Sequence, residues 1–354
     1  MIRPGRINLV FAALALVAPG FACVAETVSA VGSAHPQTAP AAEAARTRVT
    51  VSDDLGRRVT IRHPPRRIVS LDPAATAMLF AAGAGGRLVA TIRYSGQPAS
   101  ERRLPKVGTV GAIDMERLIA ARPDVVVVWP SANNPADIAT LQRLGIPVYR
   151  QEVDTLGGIA ASLRRLGRLT GTSGVADREA SRLEARLASL RKEYAAVSHP
   201  PTVLLEVWDR PLYTVGGKEL MSDALRVCGA RNVFADLPQR APAIGIGAVI
   251  ARNPDIIIAV APPGRGTSWL AQWRRFPSLR AVRTGRLLDF EDQRLSRLGP
   301  GVIGATASLC AKIAALSGRP GPKHAGAAAG PGSRASGIAG SRALVQSLER
   351  RAMD

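Results

Sequence analysis

Short β-type runs and amphipathic helical patterns alternate along most of the chain. The runs RRIVSL and RLVAT are followed or preceded by helical patterns such as PAATAMLFAAG and NPADIATLQRLG, which end at a glycine. The run DVVVVW is continuously apolar, which is typical of a strand that is buried on both faces of a parallel sheet. This alternation predicts an α/β fold.

One long segment, residues 173–198, interrupts the alternation. It contains no proline, and its apolar residues Leu183, Leu187, Leu190 and Tyr194 are spaced by four, three and four positions. This spacing predicts one amphipathic helix of about six to seven turns. Strand and helix patterns resume afterwards with PTVLLEVW. The sequence therefore predicts two α/β lobes, residues 48–172 and 199–318, joined by a single long helix.

The two predicted lobes share a repeated unit. MERLIAARPDVVVVW at residues 115–129 and IGAVIARNPDIIIAV at residues 246–260 both read as a helix, a Pro-Asp turn and an apolar strand. We interpret them as the same supersecondary unit, used once in each lobe. Two similar lobes that face each other form a cleft, which is a common place for a ligand.

The two ends of the chain differ in composition from the middle. MIRPGR followed by INLVFAALALVAPGFA predicts an export signal over residues 1–30, because the apolar run is too short to span a membrane and contains Pro19. Residues 31–47 are predicted to be a flexible leader, and residues 319–354 a disordered tail. Cys23 leaves lipidation open as an alternative to simple export.

Charge and cysteine content narrow the function classes. The 47 Lys and Arg against 27 Asp and Glu give a net charge of +20, but the basic residues are scattered and match no nucleic-acid-binding motif. An Arg-rich surface is the simpler interpretation, and no nucleic acid partner is predicted.

Once the signal is removed, Cys228 and Cys310 remain. An oxidising compartment favours a disulfide between them, with two buried free thiols as the alternative.

Catalytic motifs are missing from the sequence. It contains no G-x-S-x-G elbow and no metal-ligand pattern of His and Cys, and its four histidines do not suggest a Ser–His–Asp set. We therefore predict that the protein is not an enzyme and uses no metal or cofactor. An exported α/β hydrolase is a remote alternative, and a purely structural surface protein is a third.

Four stretches carry a resemblance to a known family: RRIVSLDPAATAMLFAAGAGGRLVAT, LPKVGTVGAIDMERLIAARPDVVVVW, YTVGGKELMSDALRVCGARNVFADL and LGPGVIGATASLCAKI. They resemble the periplasmic substrate-binding proteins of ABC importers for cobalamin, siderophores and haem, over nearly all of residues 50–316. The resemblance implies the class III fold, in which one long α-helix bridges two Rossmann-like lobes. It also implies a carrier in the periplasm that delivers its ligand to permease subunits in the inner membrane.

Within this family the likeness favours cobalamin (vitamin B12) carriers, with a ferric siderophore or haem as alternatives. LRVCGARNVF and ASLCAKI place Cys228 and Cys310 where those carriers have a disulfide. VWDRPLYTVGGKEL and YSGQP resemble their segments beside the ligand. Val110 and Ala241 stand where the carriers have further cleft aromatics, so fewer stacking faces should weaken or change the ligand preference.

The resemblance and the ends of the predicted strands together give a set of candidate ligand contacts. A flat, mostly apolar macrocycle edged with amides needs aromatic faces and a few polar contacts. Each candidate also has an ordinary structural interpretation, as a core aromatic or a solvated loop residue. Trp269 and Trp273 have helical spacing and are predicted to pack. The candidate ligand contacts are Tyr94, Trp129, Trp208, Tyr213, Asp292, Arg294 and Arg297.

The alternative ligands and the docking surface give further candidates. Tyr94 is the reasonable axial ligand if the cargo is haem, and Arg294 or Arg297 would serve a siderophore. Glu116 suits the first turn of a helix, and the resemblance implies that it docks onto an arginine of the permease. The equivalent position of the second lobe holds Gly247. Docking is then either one-sided or completed by a neighbour such as Asp236.

Overall fold

The computed structural model describes residues 48–94, 97–194, 197–297 and 299–319. The predicted export signal, the leader, Cys23 and residues 320–354 of the predicted tail lie outside the described residues. Within the described ranges, no helix is both long and apolar enough to cross a membrane.

The first lobe is built on a six-stranded sheet in the order β6-β5-β4-β3-β7-β8. Strands β3, β4, β5, β7 and β8 are parallel, β6 is antiparallel to β5, and β1 and β2 form a separate antiparallel pair. The strands are β1 (Val49–Ser52), β2 (Arg58–Ile61), β3 (Ile68–Ser70), β4 (Leu88–Arg93), β5 (Lys106–Thr109), β6 (Ala112–Ile113), β7 (Val125–Val128) and β8 (Val148–Arg150). The helices are α1 (Pro73–Ala81), α2 (Ala99–Arg102), α3 (Met115–Ala120), α4 (Pro135–Arg143) and α5 (Leu156–Thr170).

Polar caps determine where several of these helices begin. Asp72, Asp114, Asn134 and Thr155 each accept a hydrogen bond from a backbone N–H in the first turn of α1, α3, α4 and α5. Such a bond satisfies one of the free donors at a helix start. Gly171 ends α5 in the left-handed conformation, with φ of 69°, where a glycine has no Cβ penalty.

The second lobe carries a four-stranded, fully parallel sheet in the order β12-β9-β13-β14. A small antiparallel hairpin, β10-β11, follows β9. The strands are β9 (Thr202–Glu206), β10 (Trp208–Asp209), β11 (Leu212–Tyr213), β12 (Arg231–Asn232), β13 (Ile256–Ala259) and β14 (Leu287–Asp289). The bridging helix is α6 (Ser173–Tyr194), and the lobe's helices are α7 (Leu220–Val227), α8 (Ile246–Arg252), α9 (Gly266–Ala271), α10 (Arg280–Arg283) and α11 (Val302–Leu316).

The bridging helix α6 confirms the predicted apolar stripe. Leu183, Leu187, Leu190 and Tyr194 are all buried, and the helix packs against α5 on one side and against α7 and α11 on the other. Its described helical part ends at Tyr194, and residues 197–198 are not helical. The predicted end at residue 198 is therefore too late. Pro200 disfavours the helical conformation at His199, so a helix could not continue past the predicted end either.

The repeated unit is confirmed by the geometry of both lobes. The strand order β4-β3-β7-β8 of the first lobe matches β12-β9-β13-β14 of the second. Arg122 and Asn253, which precede the two Pro-Asp turns, share the same φ of 43°. Asp124 accepts hydrogen bonds from the backbone leading into β3, and Asp255 accepts one from the first residue of β9. Each aspartate thus ties its turn to the neighbouring strand.

The predicted disulfide is present. The Sγ atoms of Cys228 and Cys310 are 2.07 Å apart, and both residues are fully buried. The bond joins the end of α7 to α11 across 82 residues of sequence, so the alternative of two free thiols is wrong.

Removing this bond should lower the free energy of unfolding by about 4 kcal/mol, since a loop of this length gains that much conformational entropy when it is opened in the unfolded chain. The Cys228→Ala/Cys310→Ala variant, compared with the oxidised protein in a urea titration, gives the measurement. A reducing agent should destabilise the original protein and leave the variant unchanged. Equal stability of the two proteins would contradict this estimate.

Candidate functional site

The candidate site lies where the parallel strands of both lobes end. In open α/β sheets, ligands bind outside the carboxyl ends of the strands. Tyr94 directly follows β4, and Trp129 directly follows β7. In the second lobe, the β10-β11 hairpin with Trp208 and Tyr213 follows β9, and the loop with Asp292 follows β14.

Contacts between the two lobes join these strand ends. The Leu156 backbone N–H, at the start of α5, donates to Asp223 Oδ2 of α7 at 2.7 Å. Arg240 of the second lobe forms ion pairs with Glu152 and Asp154 in the loop after β8. Both contacts come from the segment after β8, so this segment is one of the places where the first lobe contacts the second.

Glu152 fixes the candidate ligand residue Trp129. The indole Nε1 of Trp129 donates to Glu152 Oε1 at 3.0 Å, and the Ser131 hydroxyl donates to the same oxygen at 2.8 Å. Arg240 Nη2 lies 2.9 Å from this oxygen, and the Glu152 side chain is only 8% exposed. One carboxylate therefore holds the indole of the first lobe and the guanidinium of the second.

The role of Glu152 was not predicted from the sequence. It lies 23 residues after Trp129, so the two meet only because β7 and β8 are adjacent parallel strands. The available signal was that both residues follow predicted neighbouring strands. Nothing in the sequence indicated that Arg240 contacts Glu152, because the two residues belong to different lobes.

Tyr94 is half-buried and donates its phenolic hydrogen to Glu101, a carboxylate with only 2% exposure. Burial raises the pKa of Tyr94 well above its ordinary value, and the hydrogen bond and charge of Glu101 raise it further. Arg297 acts on the same pKa in the opposite direction, which places that candidate residue near Tyr94.

Two buried carboxyl groups cap the first helix of each lobe at equivalent positions. Asp72 Oδ1 accepts from the Ala75 N–H at 2.9 Å, and Glu219 Oε2 accepts from the Met221 N–H at 2.9 Å. Burial raises the pKa of Asp72 to about 6 and that of Glu219 to about 7. The charge of Glu152 raises both, so all three carboxyl groups interact at the junction of the lobes.

The second lobe presents an exposed aromatic side chain. Trp208 is 51% exposed and meets the buried Trp269 edge to face, with ring centroids 6.0 Å apart. Its Nε1 donates to the Arg210 carbonyl at 3.1 Å, while Tyr213 pairs with it across the hairpin. Trp269 and Trp273 are buried, which confirms that they pack in the core.

The three candidate residues in the loop after β14, Asp292, Arg294 and Arg297, have different neighbours. Arg294 Nη2 pairs with Asp292 Oδ2 at 2.6 Å. The Arg294 side chain also lines a cavity of about 550 Å³ together with Arg182 and Arg186 of the bridging helix. Arg297 instead lies near Tyr94. The ligand contacts of these three loop residues, like those of the four aromatics, stay predictions.

The residues that differ from the family pattern are all on the surface. Val110 and Ala241 are exposed, so neither adds an aromatic face. Glu116 is exposed on α3, and a Cβ built on Gly247 of α8 would meet open space. Asp236 forms a two-point ion pair with Arg252, including Nη2 to Oδ2 at 2.8 Å, so its carboxylate already has a partner in the chain. Among the described residues, no cluster of three His, Cys, Asp or Glu could hold a metal ion.

Comparison with known proteins shows the family. The periplasmic binding protein family matches residues 68–293. The chain is 31% identical over 249 residues to the vitamin B12-binding protein of Photorhabdus laumondii, covering 70% of this chain and 88% of the relative.

Two solved structures share the fold. The periplasmic vitamin B12 binding protein of Vibrio cholerae has a TM-score of 0.65 and 28% identity, covering 72% of this chain and 98% of the other. A periplasmic heme binding protein from Pseudomonas aeruginosa has a TM-score of 0.61 and 25% identity, covering 71% and 92%. With a family match over more than half its length and two α/β lobes around one bridging helix, this chain belongs to the periplasmic binding protein family.

Proposed function

We propose that this protein is the periplasmic solute-binding component of an ABC importer and that it captures cobalamin, or a related corrinoid, between its lobes. The observation that carries the proposal is the pair of tryptophans at the strand ends of the two lobes. Trp129 is fixed by Glu152, and Trp208 is half exposed on the hairpin after β9. The similarity over most of their length to proteins named for vitamin B12 binding supports the corrinoid as the ligand.

The chemistry of the site favours a ligand with little net charge. Aromatic faces suit the flat corrin ring, and the carboxylates at the lobe junction accept hydrogen bonds from its amide rim. Haem is the less favoured candidate, because the hydroxyl of its candidate axial ligand, Tyr94, is already bonded to Glu101. A siderophore stays the second candidate through Arg297, which lies near Tyr94.

Parallel calorimetric titrations with cyanocobalamin, haem and a ferric siderophore test the ligand. We expect saturable binding of cyanocobalamin and at least about tenfold weaker binding of the other two, which corresponds to a difference of about 1.4 kcal/mol. Tight binding of haem or of the siderophore without binding of cyanocobalamin would refute the corrinoid assignment. The protein would act as a carrier in either case, with no catalytic step.

Delivery to a permease is the second half of the proposal. Glu116 is exposed at the first turn of α3, where a carboxylate also complements the helix dipole. We infer that this carboxylate contacts a basic residue of the permease. The second lobe, with Gly247 at the equivalent position and Asp236 already paired with Arg252, would dock without an acid.

Replacing Glu116 with Ala should therefore reduce ligand uptake in cells about 10-fold or more while leaving ligand affinity within about twofold, because an interfacial charge pair is lost far from the cleft. Uptake of labelled cyanocobalamin and calorimetry on the same variant give the two measurements. Arg122→Ala, an exposed charge at the end of the same helical segment, serves as the control. The Gly247→Glu variant should raise uptake, since the new side chain enters open space. A loss of affinity in Glu116→Ala would contradict this division of roles.

A further inference from the structure

A basic cavity lies beside Tyr94, at the end of β4. It has a volume of about 450 Å³ and is lined by Arg93, Tyr94, Gln97, Arg102 and Lys106. We call these five residues the basic pocket. Three of the five side chains are cationic, and none is anionic.

The cations of the basic pocket contact carbonyl oxygens instead of carboxylates. Arg102 Nη1 donates to the Gln97 carbonyl at 2.9 Å, and Lys106 Nζ donates to the Glu101 carbonyl at 2.6 Å. Within the ranges that the structure describes, Arg93, Arg102 and Lys106 form no ion pair with an acidic side chain. Arg164, Arg182 and Arg294, by contrast, each pair with a carboxylate.

The acid nearest to the pocket is already engaged. Glu101 acts electrostatically on Lys106, but its carboxylate is 2% exposed and accepts the Tyr94 hydroxyl. Burial lowers the pKa of Lys106, and repulsion from Arg93 lowers it further. The charge of Glu101 partly offsets this repulsion, but its carboxylate is buried and bonded to Tyr94 and not to the cations. A bound anion would therefore relieve the remaining positive potential of the pocket.

We propose that the basic pocket binds a phosphate group, supplied either by free phosphate or by the phosphodiester of the ligand in the cleft. Two guanidinium groups and one ammonium can donate several charge-assisted hydrogen bonds to phosphate oxygens. Tyr94 belongs both to the pocket and to the candidate cleft contacts, so the pocket adjoins one of the proposed contacts of the ligand. Cobalamin carries such a phosphodiester on its nucleotide arm, and cobinamide lacks it. The assignment to the ligand rests on the proposed function, whereas the assignment to free phosphate does not.

The test uses the full mature protein and two double variants, Arg93→Gln/Arg102→Gln and Arg102→Gln/Lys106→Gln. Arg93 and Arg102 are exposed, so the first variant keeps the fold even if the second does not. Arg103→Gln is the matched control, because it removes an exposed charge next to Arg102 that does not line the pocket. Each protein is titrated by calorimetry at low ionic strength with inorganic phosphate, cyanocobalamin and dicyanocobinamide.

We expect phosphate to saturate the original protein and the control but neither double variant. We also expect the original protein to prefer cyanocobalamin over dicyanocobinamide by about 10-fold, the scale of one charge-assisted hydrogen bond, and the double variants to lose this preference. Saturation by phosphate with equal affinity for both corrinoids would assign the pocket to free phosphate.

Two other outcomes separate this proposal from the proposed function. If neither corrinoid binds while phosphate saturates the original protein and not the variants, the phosphate site stands and the corrinoid assignment fails. If phosphate gives no saturable heat and the corrinoid preference is the same in all four proteins, the basic pocket is only a solvated surface and the proposal is overturned.

Discussion

Replacing Glu152 with Ala should weaken cyanocobalamin binding by about 30-fold, or about 2 kcal/mol, without unfolding the protein. The carboxylate accepts from the Trp129 indole and the Ser131 hydroxyl and pairs with Arg240 of the other lobe. Its removal leaves a half-buried N–H and a guanidinium without this acceptor. It also frees the indole ring to leave the orientation in which we propose that it contacts the ligand. Calorimetry gives the affinity, and a urea titration checks the fold.

A double-mutant cycle separates positioning from simple stabilisation. Glu152→Gln retains an oxygen for the indole but loses the charge that attracts Arg240, so it should recover part of the affinity. Glu152→Ala and Arg240→Ala together should cost less than the sum of the single changes, with a coupling energy of about 1 kcal/mol or more. Asp154→Asn is the matched control, because Asp154 also pairs with Arg240 but does not contact Trp129.

Tryptophan fluorescence adds a measurement that a purely structural role would not change. The ligand-induced change in emission should shrink in Glu152→Ala and remain in Asp154→Asn, because only the first variant releases the Trp129 ring. Affinity and fluorescence response within about twofold of the original values in both variants would show that the pair holds the lobes together but does not position the ligand contact.

The parts of the fold predicted correctly are those encoded locally. The Pro-Asp turns, the continuous apolar strand after each of them and the four-three-four stripe of α6 are readable within about 15 residues, and each appears in the structure. The predicted end of α6 at residue 198 is too late, since residues 197–198 are not helical. The pairing of Cys228 with Cys310 follows from the cysteine count of an exported chain, and it is present in the structure.

The site could be predicted only in part, for a physical reason. Its aromatic members follow strands directly, so their position at the sheet edge can be inferred from the strand pattern alone. The polar members connect elements that are far apart in sequence. Arg240 reaches Glu152 across the lobe junction, and Lys106 lies beside Arg93 because β4 and β5 are neighbours. No spacing rule links such residues, so the charge pattern of the cleft emerges only when the two sheets are placed side by side.

Stability of the protein should decrease as the pH rises from about 4.5 to about 7. Burial raises the pKa of Asp72 from its ordinary 3.8 to about 6 and that of Glu219 from 4.5 to about 7. The charge of Glu152 raises the pKa of Asp72 further. For Glu219, the charges of Asp154 and Glu152 raise the pKa and the charge of Arg240 lowers it. In this window the folded state therefore binds more protons than the unfolded state, so the free energy of unfolding falls with increasing pH.

Glu206 should contribute in the same direction. It is fully buried, accepts from Trp273 Nε1 at 2.7 Å and from Gln272 Nε2 at 2.8 Å, and burial raises its pKa to about 7. Carboxyl groups with a lowered pKa have the opposite effect, because they stabilise the folded protein while they are ionised. That stabilisation is lost only in more acidic solution, where these groups become protonated. Asp292, whose pKa is held down by its hydrogen bond to Arg294, is one of these. Urea titrations at about pH 5, 6, 7 and 8 therefore cover the window in which the raised groups dominate.

The amide variants Asp72→Asn and Glu219→Gln give the sharpest test of this slope, because each keeps the oxygen that caps its helix and removes the titration. At about pH 8 each should be more stable than the original protein by about 2 kcal/mol. At about pH 5 the gain should fall to about half of that for Asp72→Asn and to about a quarter for Glu219→Gln. The residual slope in the double variant belongs to Glu206 and to Asp54, whose pKa burial also raises. Asp137→Asn, a substitution in the first turn of α4, is the control. If the stability of the original protein is constant from about pH 5 to 8, burial does not raise the pKa of Asp72 or of Glu219 as inferred.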